Sequence, residues 1–79
     1  MKVGAIITGV AVIDQYTNKV LWECDTIAEA RKWNKKYGDP MNDIQYWAAE
    51  IINQNGDLNP AVYADTRKEA RDKLKQILL

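Results

Sequence analysis

Seventy-nine residues, 47% of them hydrophobic and including three Trp and four Tyr, suffice for one small ordered domain and are too apolar for a disordered chain. A chain of this length hides only ~60% of its unfolded surface, so a monomer gains from any further burial. Eleven Lys and Arg balance eleven Asp and Glu, which removes the basic surplus of a dedicated nucleic-acid binder, and the single Cys24 excludes an internal disulfide.

The chain starts without the basic-then-apolar leader of a signal peptide. Residues 3–13 are rich in Val and Ile and read as a first strand; the run is too short for a bilayer and is interrupted by Gly4, Thr8 and Gly9. A cytoplasmic protein with no membrane partner is therefore expected. Asp14 to Asn18 supplies turn residues, and Lys19 to Cys24 reads as the returning strand. Thr26 and Glu29 form a capping box, which predicts a helix from there to about Tyr37, with Gly38 as a left-handed terminator and Pro40 just beyond. Ile44 to Asn53 reads as a third strand, and Asn55-Gly56 as a turn signal. Leu58 to Ala64 reads as a fourth strand; Pro60 places it at a sheet edge or delays its start. Thr66 and Glu69 form a second capping box, opening a helix that runs to the C-terminus.

This order repeats. Asp-Thr-x-x-Glu-Ala-Arg stands at residues 25–31 and again at 65–71, an offset of 40. Val12-Ile13-Asp14-Gln15 matches Ile51-Ile52-Asn53-Gln54 at an offset of 39, one residue being added in a turn of the second copy. The reading is a single α+β domain spanning 1–79, a tandem ββα-ββα duplication with repeats 3–38 and 43–79. It has about four antiparallel strands and two helices on one face. The strand-to-helix junction Asp25-Thr26-x-x-Glu29-Ala30 resembles that of the HicB antitoxin family and, equally, the hairpin-helix of integrase arm-binding domains. The likeness covers some seven residues, is mainly a helix cap, and implies no function.

Helix two carries an apolar stripe at Ala70, Leu74, Ile77 and Leu78, the spacing of a buried face. Helix one offers Ile27, Ala30, Trp33 and Tyr37, with Asn34 in the place of Leu74; either that helix is less buried or Asn34 meets a polar partner. Neither parity of the first strand contains a charge, so the sheet is apolar on both sides, unlike one with a wet face. Aligning Ala11 with Glu50, and taking Glu50 to face solvent or an interface edge, assigns Ile7, Ile13, Leu21, Ile44, Tyr46, Ile52 and Tyr63 to the face without helices. Trp22 and Trp47 then have the parity of the covered face. The alternative is a fully wrapped strand, or a bulge at Gly9 that exchanges the faces mid-strand.

Chemistry is sparse. No histidine is present, the carboxylates and lone Cys24 make no zinc set, and no glycine-rich loop opens a helix. Cys24 precedes a helix cap, whose dipole could lower its pKa, but its counterpart Ala64 points to a small buried filler. No enzyme activity, cofactor or small-molecule substrate is expected. What remains is binding. The first expectation is a protein partner or a second copy, a homodimer, held by the apolar sheet face with Tyr46, Tyr63 and Trp33 or Trp47 as anchors. Compactness without chemistry suits a small blocking or regulatory protein, an inhibitor of the sort mobile genetic elements carry. The second expectation is nucleic-acid binding through Arg31, Lys35, Arg71 and Lys75. Nine of the eleven cations lie in 26–37 and 66–79 against three acids there, so the helical side is positive and the remainder negative.

Overall fold

Six elements follow the chain: β1 (Ile6–Ile13), β2 (Val20–Cys24), α1 (Ile27–Tyr37), β3 (Asp43–Glu50), β4 (Val62–Ala64) and α2 (Arg67–Leu78). The computed structural model describes residues 2–78. The strands form one antiparallel sheet in the order β2-β1-β3-β4, an α+β arrangement.

Local chemistry explains the boundaries. Gly4 adopts φ +81°, which turns the chain ahead of β1. Asp14 Oδ1 accepts the Tyr16 and Thr17 amides at 2.7 and 2.9 Å, and Asn18 takes the left-handed region at φ 59°, so the first hairpin closes as an Asx turn. In the second hairpin Asn53 Oδ1 accepts the Asn55 and Asp57 amides at 3.0 and 3.2 Å, and Gly56 sits at φ +88°. Pro60 leaves β4 only three residues long and at the sheet edge, Leu58 adding a lone bridge to Ile51.

Both helices start on their Thr caps. Thr26 Oγ1 accepts the Glu29 amide at 3.2 Å, and Thr66 Oγ1 accepts the Glu69 amide at 3.1 Å. Gly38 does not end α1 in a left-handed turn: its backbone is extended, at φ −106° and ψ −175°. Glycine is needed there because a Cβ would collide with Asn34 Oδ1. Asn34 is buried, donates to the Asp39 carbonyl at 3.0 Å and accepts from Asn42 Nδ2 at 3.2 Å. Of the two accounts of Asn34, the polar partner is the one that holds.

The helices lie on one face but do not pack on each other: α1 covers β2, β1 and β3, and α2 covers β3, β4 and β1. The core is accordingly split. Under α1, Val10, Val12 and Ala30 are buried, with Cys24, Ile27, Trp33, Ile44 and Tyr46 packed around them. Under α2, Ala48, Ala64, Ala70 and Leu74 are buried, with Ile6 and Val62 alongside. Between the two clusters runs Arg67, which donates to Thr8 Oγ1 at 2.8 Å and to the Asp25 carbonyl, its guanidinium 5.2 Å from the centre of the Tyr46 ring. Among the described residues the largest fully buried side chains are Leu74, Val10 and Val12. The stripe expected on α2 stops short: Ala70 and Leu74 are buried, but Ile77 is 68% exposed and Leu78 is exposed as well. Ile77 and Leu78 instead line an open cavity with Asn59, Pro60, Ala61 and Val62, at the start of the short β4.

The chain is also more open than its length requires. Its radius of gyration is 13.1 Å, against ~11.6 Å for a compact domain of this length.

Candidate functional site

Cross-strand pairing decides which residues share the helix-free face. Even-numbered positions of β1 and β3 lie under the helices, since Val10, Val12, Ile44, Tyr46 and Ala48 belong to the two clusters. The odd positions, Ile7, Gly9, Ala11 and Ile13 opposite Ala49, Trp47, Gln45 and Asp43, therefore face the other way. Tyr63 joins them opposite Trp47, and Glu23 opposite Ala11. Where β1 advances from Val12 to Ile13, β2 advances from Trp22 to Val20, so Leu21 is the extra residue of a bulge. Val20 pairs with Ile13 and so shares its face.

Of the eight residues expected to form a protein-binding surface, four come together on this face: Ile7, Ile13, Leu21 and Tyr63. Ile44 and Tyr46 do not; both pack under α1, Tyr46 against Arg67. The cause is the repeat offset. A shift of 39 matches odd positions of β1 to even positions of β3, whereas the observed register pairs odd with odd, Ile7 with Ala49 and Ile13 with Asp43. The premise about Glu50 fails with it: Glu50 pairs with Ile6 on the helix side, where its carboxylate accepts from Asn59 Nδ2 at 2.7 Å. Ile52 lies beyond the end of β3 and is exposed, its amide held by the Asp57 carbonyl at 2.9 Å. Trp33 lies on α1, stacked on Trp22 at 5.5 Å and 5°.

Trp47 was expected under the helices and is instead the centre of the open face. Its ring lies across Gly9, whose added Cβ would come within 2.5 Å of Cζ2. A large ring laid over a strand glycine covers backbone that would otherwise be wet. That lone mid-strand glycine was the signal in the sequence. Trp47 Nε1 is buried there without a hydrogen-bond partner. Tyr63 lines a depression with Ile13, Asn18, Asp43 and Gln45, so its ring reaches across the sheet from β4 toward β1. Burial, and then the charge of Glu23, push the Tyr63 phenol above its ordinary pKa.

These two rings give the face a partial roof. Ala11 and Ala49 are buried beneath it, and Ile13 is only 8% exposed. Ile7, Trp47 and Tyr63 remain half-buried, and Leu21 is 42% exposed at the rim beside Val20. The apolar layer is thus thinner than the strand pattern suggests, with its wet part along β2 and around Ile7. Both sheet edges are blunted, β2 by the bulge and β4 by Pro60 and its length, so the face is a better contact surface than either edge.

The basic residues do not form one sheet of charge. Arg71 and Lys75 line a groove with Arg67, Lys68 and Asp72, whereas Arg31 and Lys35 are exposed on α1, which α2 does not touch. Cys24 is half-buried and donates from Sγ to the Thr26 carbonyl at 3.2 Å, and burial raises its pKa. Among the described residues no group of three His, Cys, Asp or Glu could hold a metal ion, and no helix is long and apolar enough to cross a membrane.

Comparison with protein-family models, with curated proteins and with solved structures finds no match to this chain. The seven-residue resemblance at the strand-to-helix junction stands alone.

Proposed function

We propose that this chain is a small non-enzymatic binding protein that works by protein–protein contact through its helix-free sheet face, and that it self-associates, most simply as a homodimer. The observation that carries the reading is surface area. A 9.0 kDa monomer exposes about 4,850 Å² by size scaling, and this chain exposes 5575 Å². The surplus of roughly 700 Å² belongs to the whole chain, and on the sheet face it includes the exposed Val20 and Leu21 beside the half-buried Ile7, Trp47 and Tyr63. A core in which Leu74, Val10 and Val12 are the largest fully buried side chains among the described residues supports the same conclusion, since further apolar surface can be covered at ~25 cal/mol per Å². Ile7, Leu21, Trp47 and Tyr63 form the contact, and its effect is occlusion or tethering, the mode of a blocking protein.

Light scattering with mass analysis tests this. Wild-type protein should run as a multiple of the 9.0 kDa subunit at about 100 μM, a concentration suited to micromolar self-affinity. Ile7→Asp and Leu21→Asp, made separately, should reduce it to one subunit with the far-UV circular dichroism unchanged. A wild-type monomer ends the self-association reading, and an unaltered oligomer in both variants removes this face as its contact.

A second reading rests on the groove where Arg71 and Lys75 meet Arg67 and Lys68: nucleic-acid binding by the basic helical side, with Arg31 and Lys35 added from α1. A salt titration separates the two, because phosphate contacts weaken steeply with ionic strength. Lack of affinity for duplex or single strands at low salt excludes it.

We also read the two ββα halves as copies of one unit, at an offset of 39 through the hairpin turns of Asp14 and Asn53 and of 40 from there to the helices. Supporting this are the paired caps Thr26 and Thr66 and the buried pairs Ala30 with Ala70 and Asn34 with Leu74.

A further inference from the structure

The outer flank of α1 carries a feature that the fold does not use up. Trp22 of β2 and Trp33 of α1 stack at 5.5 Å and 5°, and Tyr37 continues the row 5.9 Å from Trp33 at a tilt of 45°. With Glu29, Lys32 and Lys36 these rings line a notch. Packing explains Trp33 and Trp22, which close the seam between α1 and β2. It does not explain Tyr37, which is 66% exposed at the last turn of the helix.

We propose that this notch is a docking site for an acidic segment of another protein, one bearing an aliphatic or aromatic side chain between its carboxylates. The charge of the rim selects the sign. On α1 stand Arg31, Lys32, Lys35 and Lys36 against Glu29 alone, and two of those lysines border the notch itself. Tyr and Trp anchors with a charged rim are the usual makeup of a contact hot spot. Geometry selects protein over nucleic acid. The two tryptophans pair with each other, and Lys36 Nζ lies 5.2 Å from the centre of the Tyr37 ring. The notch therefore offers ring edges and a recess for one side chain, not a row of open faces for successive bases. The bulge in β2 disrupts the edge alongside, so the segment docks by its side chains and not as an added strand. The notch lies on the helix side of the sheet, opposite the surface assigned to self-association, and stands independently of it.

Three tryptophans provide the readout. Nitrogen-edited NMR of the full chain should show the indole signals of Trp22 and Trp33 shifting saturably with a synthetic peptide of alternating Glu and Leu, while that of Trp47 stays in place. Half-saturation is expected below about 1 mM, the affinity of a weak side-chain contact. Tyr37→Ala and the double change Lys32→Glu with Lys36→Glu alter exposed positions only, and each should weaken binding by about tenfold or more. Arg71→Glu with Lys75→Glu removes as much charge from α2 and should change it less than threefold, the range of screened long-range effects. The proposal is overturned by unmoved indoles, by equal shifts with a Lys-Leu peptide, by an equal loss in the α2 variant, or by oligothymidylate binding more tightly than the peptide.

Discussion

Gly9→Ala is the sharpest probe of the sheet, because one added methyl meets a defined obstacle. A Cβ at position 9 would stand 2.5, 2.6 and 2.8 Å from Cζ2, Cε2 and Nε1 of Trp47. Carbon atoms in contact need ~3.5–4.0 Å, so the ring must retreat by about 1 Å or swing off the strand. Overpacking of this kind costs about 1–3 kcal/mol. Replacing glycine also restricts the unfolded chain, which returns about 0.4–1 kcal/mol. Strain wins, and the net loss should be about 1–2 kcal/mol. At ~4–8 °C per kcal/mol for a domain of this size, the melting temperature should fall by roughly 4–16 °C. Urea unfolding followed by far-UV circular dichroism gives the free energy, and a red-shifted tryptophan emission would report the ring leaving its place. The control is Trp47→Leu. In that background Gly9→Ala should cost less than about 0.5 kcal/mol, a coupling typical of residues in contact. Equal cost in both backgrounds, or none in either, would refute the idea that the indole roofs Gly9.

Four other outcomes follow from the same structure. Arg67→Ala should destabilise by about 1–3 kcal/mol in urea, since Thr8 Oγ1 and the Asp25 carbonyl lose their shared donor, and Arg67→Lys should recover less than half, because one ammonium cannot span both. Thr26→Ala and Thr66→Ala should each cost ~1 kcal/mol in urea, and the double variant should depart from additivity because the Arg67–Asp25 hydrogen bond joins the two caps. Asn34→Leu, which copies Leu74, should cost about 1–3 kcal/mol by stranding the Asp39 carbonyl and Asn42 Nδ2, measured by thermal melts. The Asp14 carboxyl is held below its ordinary pKa of 3.8 by the Thr17 and Tyr16 amides. Its stabilising contribution is therefore complete above pH 3.8 and drains away as pH falls through the lower folded value. The gap in melting temperature between wild type and Asp14→Asn should be constant above pH 3.8 and narrow steadily as the pH is lowered below it.

The amino-acid order by itself determined the local parts. Thr26 and Thr66 mark both helix starts, because a hydroxyl three residues before a free amide acts over one turn of chain. Asp14, Asn53 and Gly56 mark both hairpins for a similar reason, and Pro60 truncates the last strand by lacking a donor. Six elements in the right order followed from signals of that range.

Only tertiary pairing decided which way each strand faces. Side chains alternate with period two, so a shift of one residue between the halves moves a whole set across the sheet. At an offset of 39, Ile44 and Tyr46 go to the open face and Trp47 to the covered one; the register Gly9 opposite Trp47 does the reverse. The sheet order β2-β1-β3-β4, the split core and the Arg67 wedge between its halves depend likewise on contacts distant in the chain. Gly38 belongs to both levels: the sequence marks where α1 ends, but the fold shows that its missing side chain makes room for Asn34. Short-range bonding names the pieces, and long-range register alone assigns the strands their faces.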